Sequence, residues 1–368
     1  MKNQSAMRVL FITGSAAAGG GPRHLLDWLT ALRKYAPNEL QIFTAAPAQG
    51  LFAAPLRSIA VETLTIPERA ISFLRLFSIY RFARRNNINL VHSFGRAGGI
   101  YGRFLGLVGF TVLHTPQGLI STPLNQFIYD SLEFMLRPLT KKYVFGSQSE
   151  ADQGQARFGV KDGLIVPPVV TVPENTLPIE LQDRCAEALT IGRPLILGTI
   201  GRFVSHKRVL DLTRAIMALG PGFQLRLYGE GDDLRQLEKL AKASEGRVVI
   251  RGLVDRWQAL SEIDVFVSWS KSESFGLAAA EAMAMGVPCL LSDVLGHRDL
   301  ADNDQRAWLF QAKSKSDFSR SLAELLRDKH DRKSRIDRAR TAINSLCPPE
   351  RIAHDLLAAY RMALAKKS

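Results

Sequence analysis

The chain has 368 residues, 46% hydrophobic and 23% charged, with a formal net charge of +13. That length exceeds one ordinary core and suits two domains, and the composition is ordinary for a soluble globular protein. Cys185, Cys289 and Cys347 stand far apart with no CxxC, which excludes a zinc or disulfide framework and sets a reducing compartment as the expectation. The N-terminal apolar stretch is too short for a signal peptide, and no run reaches the ~18 apolar residues of a membrane span.

In chain order, "RVLFIT" reads as a strand. A turn of small residues follows, and helical spacing runs over 23–35. Gly14 and Gly19 stand where a phosphate-binding P-loop has its glycines, but Gly20 and Gly21 occupy the places of its Lys and Ser/Thr. No G-x-G-x-x-G fits either, which disfavours a dinucleotide oxidoreductase. "LQIFTAA" is a second strand, then helix 70–86, "INLVHSF", helix 97–108, "TVLHTP", helix 124–138 and "KKYVFGS". Residues 167–183 carry four prolines and little periodicity, so they read as a linker. The alternation restarts with "PLILGTIGRF", helix 207–219, "FQLRLYGEG", helix 232–243, "RVVIRG", helix 256–262, "DVFVSWS", helix 276–285 and "PCLLSD". Strands alternating with helices imply parallel sheets covered on both faces, here as two consecutive α/β doubly wound domains. Such sheets bind ligands at the carboxyl ends of their strands.

The second half carries the densest chemistry. In "GRFVSHK", 201–207, Arg202 and Lys207 flank a strand-to-helix turn. Two cations at a helix N-terminus form an anion site, because the free N–H groups and the dipole add to them. In "SWSKSESFGLAAAEAMAMGVPCLLSD", Glu273 and Glu281 bracket the turn into a helix of small residues. Glu281 falls among Ala, Met and Leu, so a salt bridge or ligand hydroxyls should hold it.

Gly-Arg-Phe-x-x-x-Lys, then Gly-Glu-Gly, then Glu-x-Phe-Gly-Leu with a second Glu eight residues after the first, resembles the retaining GT-B-fold glycosyltransferases of group 1 (family 4-like). The resemblance covers about Leu195 to Asp293 and extends more weakly over the first half. It implies two Rossmann-like domains facing across a cleft: 1–175 for the acceptor, 176–349 for the nucleotide-sugar, and a helix over 350–368 crossing back to the first. By position, Arg202 and Lys207 match the pair that grips the donor diphosphate and stabilises it as it leaves. Glu281 matches the acid on the ribose hydroxyls, and Glu273 the acid beside the donor sugar. Phe275, Gly276 and Leu277 match backbone that lines sugar and phosphates. Gly229, with Glu230 and Gly231, lines the same place, and Val254 in "RGLVD" matches the base-reading segment. His114 resembles a strand-end His bordering the donor sugar, where it could help the acceptor lose its proton. His92 is a parallel case, and His24 reads as a cap or packing residue. The glycine turn Gly19–Gly21 is implied to let backbone approach donor phosphates and acceptor.

The resemblance further implies no metal and no cofactor, with a UDP- or GDP-sugar as co-substrate and a glycan or lipid-linked acceptor in surface polysaccharide or lipopolysaccharide assembly. "DND", Asp302–Asp304, imitates a metal-binding Asp-x-Asp but reads by position as a turn. Two departures stand out: "VPPVV" lacks the family's Asn-Gly-Val-Asp, and "LGHRD" replaces its "GGIPE". A GT-B nucleotide-sugar epimerase and a non-catalytic nucleotide-sugar-binding module are the alternatives.

The charge has three readings: solvated surface, nucleic acid, or an anionic substrate or membrane. No RNA-binding aromatic signature, zinc finger or Lys/Arg tract supports nucleic acid. Residues 66–89 form a basic amphipathic segment whose Arg81, Arg84 and Arg85 suit an acceptor or membrane surface, with a second cluster at Arg137, Lys141 and Lys142. The expected location is cytoplasmic, peripheral on the inner face of the cell membrane.

Overall fold

The computed structural model describes residues 6–117, 123–174 and 184–365, and the chain divides into two compact units. One comprises Met1–Val169 with Cys347–Ser368, the other Val170–Leu346. The division falls at Val169 inside the proline-rich stretch, and residues 175–183 of that stretch lie outside the described residues.

The first unit holds β1 (Met7–Thr13), α1 (Gly20–Tyr35), β2 (Leu40–Ala46), α2 (Ala53–Ile59), β3 (Glu62–Thr65), α3 (Phe73–Arg85) and β4 (Leu90–Phe94). It continues with α4 (Gly95–Leu107), β5 (Thr111–Thr115), α5 (Pro123–Leu136), β6 (Lys142–Phe145), α6 (Gln148–Phe158) and β7 (Leu164–Ile165). Its strands form one parallel sheet in the order β3-β2-β1-β4-β5-β6-β7. Val9 to Ile12 of β1 are wholly buried, as a strand covered on both faces requires.

The second unit holds α7 (Arg184–Ile191), β8 (Leu195–Ile200), α8 (Val209–Ala218), β9 (Phe223–Tyr228), α9 (Leu234–Lys242), β10 (Val248–Gly252) and α10 (Arg256–Ser261). Then come β11 (Val265–Ser268), α11 (Leu277–Met285), β12 (Cys289–Ser292), α12 (Leu295–Ala301), β13 (Trp308–Phe310), α13 (Lys315–Arg327) and α14 (Lys329–Leu346). Its parallel sheet runs β10-β9-β8-β11-β12-β13. In both sheets the order reverses beside the first strand, at β1/β4 and β8/β11, so each has a switch point where loops part and a ligand crevice opens.

The final helix, α15 (Pro349–Leu364), belongs to the first unit. Ile352, Leu356, Leu357 and Tyr360 join Leu25, Trp28 and Leu29 of α1 in one core. Tyr360 Oη also lies 2.9 Å from His92 Nδ1 on β4. On the opposite face, Ile79 and Phe82 of α3 pack with Tyr101 and Leu105 of α4. Close approach of α4 to β1 needs glycine at Gly98, where a Cβ would stand 2.5 Å from the Ile12 carbonyl oxygen.

Candidate active site

The carboxyl ends of β8 and β11 gather the cations and the first acid. Arg202, Lys207, Glu273, Gly276, Leu277 and His297 line one cavity with Thr199, Ser268 and Ser270. Lys207 ends a 3-10 turn, Ser205–Lys207, and its Nζ is ion-paired with Glu273 Oε1. Ser270 Oγ donates to the same carboxylate oxygen at 2.7 Å. The loops are fastened to each other: Lys271 N donates to His206 O at 2.7 Å, and Gly296 N to Glu273 O at 3.2 Å. Burial pushes the Glu273 carboxyl up, but the Lys207 ammonium and the hydrogen bonds from Lys207 and Ser270 outweigh it and hold the group at about 2. Glu273 is therefore ionised at neutral pH.

Gly276 caps α11 in the left-handed region, φ 90°, with no side-chain cap. The first-turn N–H groups of Leu277, Ala278 and Ala279 consequently remain available at the cavity they line. A Cβ on Gly276 would come within 3.1 Å of His297 Cδ2. Gly229, φ 144°, lies so close to β8 that a Cβ would collide with the Gly201 carbonyl oxygen at 1.9 Å. Both glycines are thus dictated by backbone proximity and conformation.

Glu281 lies one turn deeper in α11, 5% exposed, 3.0 Å from Arg256 Nε. Arg256 opens α10, stacks over Trp257 with its guanidinium 4.8 Å from the ring centre, and follows the "RGLVD" segment. Its pairing ties Glu281 to the half-buried Val254 region. Phe275 is half-buried on the loop before Gly276. Asp302, Asn303 and Asp304 form a left-handed turn whose carboxylates meet Arg306 (2.8 Å) and Arg335 (3.1 Å). No group of three or more metal-ligating side chains occurs among the described residues.

Sequence reasoning passed over His297, in the departing "LGHRD". Its ring is wholly buried, Nδ1 lies 2.8 Å from the Ser292 carbonyl oxygen, and Nε2 has no protein partner. A carbonyl can only accept, so Nδ1 carries the proton and Nε2 offers a lone pair. Burial lowers the imidazole pKa, keeping it neutral.

In the first unit, His114 stands next to the last residue of β5. Its ring is wholly buried, 2.9 Å from Ser93 Oγ and 3.7 Å from Glu133 Oε1, beside the buried Arg103–Glu133 pair. Burial, Arg103 and His92 push its pKa well down. His92 is also core, bonded to Tyr360 and Thr115 and lowered by burial and His24 to about 3. His24 packs edge-on against Trp28 at 4.2 Å.

Gly19 caps α1, and Gly20 and Gly21 form its first turn. Beneath them stands a residue that sequence reasoning missed. Gln117, in a left-handed conformation (φ 55°) after β5, donates from Nε2 to the Gly21 carbonyl at 2.9 Å. A Cβ on Gly21 would lie 2.9 Å from its Oε1. Gly118, the end of the quoted "TVLHTPQG", lies outside the described residues. Arg81, Arg84 and Arg85 are all exposed on α3, and Arg85 is ion-paired with Glu62.

Two Rossmann-like parallel-sheet domains, each with a switch point in its strand order, define the GT-B class of fold. Solved GT-B structures match it: Anabaena Alr3699/HepE in complex with UDP-glucose has a TM-score of 0.81 at 16% identity, covering 97% of this chain and 100% of that one. The lipopolysaccharide outer core galactosyltransferase WaaB matches with a TM-score of 0.72 at 18% identity, covering 97% and 99%. Both halves of the chain carry glycosyltransferase domains: residues 185–342 match the family model of glycosyl transferases group 1, and residues 18–170 that of glycosyltransferase family 4. Among curated relatives, the O-antigen biosynthesis glycosyltransferase WbnH of Escherichia coli is 24% identical over 300 residues, 80% of this chain and 83% of its own. An E. coli UDP-Gal:alpha-D-GlcNAc-diphosphoundecaprenol alpha-1,3-galactosyltransferase is 24% identical over 305 residues, 74% and 76% of the two chains.

Proposed function

We propose that this glycosyltransferase moves a sugar from a UDP- or GDP-sugar to a glycan or lipid-linked acceptor, with retention at the anomeric carbon, in surface polysaccharide or lipopolysaccharide assembly. The observation that carries the reading is the convergence of Arg202, Lys207, Glu273 and the α11 N-terminus on one cavity at a strand-end crevice. The activities of the relatives support the acceptor class and the pathway.

The donor diphosphate takes Arg202, Lys207 and the free N–H groups of α11. Negative charge grows on that diphosphate as the anomeric C–O bond breaks, so preorganised cations there lower the barrier. They fill the part that a divalent ion plays in other transferases, so no metal is required. Glu273, ionised, stands beside the sugar and favours positive charge at the anomeric carbon. The His297 Nε2 lone pair accepts from a sugar hydroxyl. Glu281 takes the ribose hydroxyls, and the Val254 backbone reads the base. The acceptor oxygen forms its bond on the face the phosphate leaves, and its proton passes to the departing phosphate oxygen. The first unit's Gly19–Gly21 turn, braced by Gln117, admits the acceptor.

Stereochemistry tests this reading. With water as the acceptor, proton NMR of slow donor hydrolysis is expected to show the α-sugar first from an α-linked donor, with an unchanged rate in EDTA. The β-anomer as first product, or strict metal dependence, contradicts it.

A further inference from the structure

We propose that His297 is a specificity-determining residue for the donor sugar: its Nε2 and the Glu273 carboxylate form a pair of hydrogen-bond acceptors, and the sugar taken is a neutral hexose that turns a free hydroxyl to each. This deepens the transfer reading and rests on that reading for placing the donor sugar in this cavity.

The first observation is a buried acceptor with nothing to accept. Among the described residues, seven buried side-chain polar atoms lack a protein partner, and His297 Nε2 is the one of them whose residue lines this cavity. A buried imidazole nitrogen left without a partner destabilises the empty protein, and a donor brought by a ligand removes that cost. His297 stands in "LGHRD", the segment in which this chain departs from the family pattern, so the shared pattern does not supply it.

Two serines fix the direction of the lone pair. Ser292 Oγ donates to the Ser270 carbonyl at 2.7 Å, which uses its only proton. Toward His297 Nδ1, at 3.3 Å, that hydroxyl can only accept, as does the Ser292 carbonyl at 2.8 Å. Both neighbours of Nδ1 therefore accept, Nδ1 donates, and Nε2 presents its lone pair. Ser270 Oγ in turn donates to Glu273 Oε1 at 2.7 Å. One short chain of hydrogen bonds thus orients both acceptors, the carboxylate through Ser270 and the imidazole through Ser292.

Two glycines make room for the pair. On Gly296 a Cβ would stand 2.7 Å from the Glu273 carbonyl oxygen and 2.8 Å from the Ser274 carbonyl carbon, so only glycine lets α12 close against the Glu273 loop. On Gly276 a Cβ would stand 3.1 Å from His297 Cδ2 and 3.6 Å from Nε2, so glycine leaves that edge of the ring clear.

The arrangement chooses among sugars. A hydroxyl can donate to either acceptor. A carbon that carries hydrogen or fluorine instead leaves the Nε2 lone pair unpaired. Sites built to bond a hydroxyl reject the analogue lacking it far more strongly than apolar pockets reject a misfit. A uronate carboxylate is repelled by ionised Glu273 and has no proton for Nε2. The class that satisfies both acceptors is the neutral, fully hydroxylated hexose.

Melting shifts and donor-hydrolysis KM of the full chain test the proposal. The ligands are UDP and GDP alone, their glucose, galactose and mannose conjugates, and the 3-, 4- and 6-deoxyfluoro analogues of the conjugate that binds best. In the wild type one analogue is expected to bind about ten- to hundredfold more weakly than its parent. His297→Phe keeps a planar ring without the acceptor, so the penalty for that analogue should fall to about twofold while the penalties for the others stay. His297→Gln, whose amide oxygen can accept near the place of Nε2, should leave the penalty between the two. Shifts with UDP or GDP alone should match the wild type in both variants, which shows them folded and separates loss of sugar reading from loss of the donor site. No shift with either nucleotide in the wild type overturns the donor-site reading and this proposal with it. A normal nucleotide shift with the analogue penalty unchanged in both variants overturns the proposal alone, as does a wild type that binds every analogue, or UDP-glucuronate, as tightly as the parent conjugate.

Discussion

Lys207→Ala is expected to lower turnover by about 10²- to 10³-fold, the usual loss when one preorganised donor to developing charge is removed. Lys207 is 30% exposed on a surface turn, so the fold should persist. The substitution also strips Glu273 of its cation. The Glu273 carboxyl is held at about 2 against an ordinary 4.5, with burial raising it and the Lys207 ammonium and the Ser270 hydrogen bond lowering it further than burial raises it. A depressed carboxylate adds stability that is full above the ordinary value and is lost as pH falls through the folded one. Acid unfolding of Lys207→Ala should therefore begin at higher pH than in the wild type. Near-normal turnover would remove Lys207 from the mechanism, and an unchanged acid profile would break its link to Glu273.

Glu281→Gln is expected to act on binding instead. Glu281 lies inside α11 and meets Arg256 at 3.0 Å, away from the side chains that line the cavity. Ribose hydroxyls keep the same contacts before and during bond breaking, so losing them raises KM and leaves kcat within a few-fold. Hydrogen bonds to a charged group contribute about 1.5–3 kcal/mol, which corresponds to a donor KM raised about ten- to hundredfold. Glutamine keeps the shape beside Arg256, whereas alanine leaves that guanidinium facing a void and adds a stability loss. Arg256 is 20% exposed, so water softens the penalty. An equal fall in kcat and kcat/KM would move Glu281 into the transition-state machinery.

The two sheets and the cavity's cations were legible because their signals are local. Buried parallel strands read as continuous apolar runs, and "GRFVSHK" and "ESFG" each sit at one strand-to-helix junction. Residues set by tertiary contact were not. The same burial on both faces hides which way a strand side chain points, so nothing in the sequence shows that the His114 ring turns into the core. The partner of Glu281 lies on another helix, and nothing in the spacing marks Arg256. His297 and Gln117 matter through a Ser292 carbonyl and a Gly21 carbonyl that only the fold brings near. β3, "ETLT", is a short half-buried strand at the sheet's edge and carries no apolar run. α14 is charged nearly all round, with only Arg332, Ala339 and Ile343 buried, so it has no apolar stripe to read.

The central claim is that the second unit's cavity binds a nucleoside diphosphate-sugar through Lys207 and its neighbours. Thermal melting of wild type and Lys207→Ala with UDP-, GDP- and ADP-sugars tests it most directly, since a ligand of the folded state raises stability by mass action. One donor series should raise the wild-type Tm in a concentration-dependent way, and the shift should collapse in the variant. No shift with any donor, or the same shift in both proteins, contradicts it.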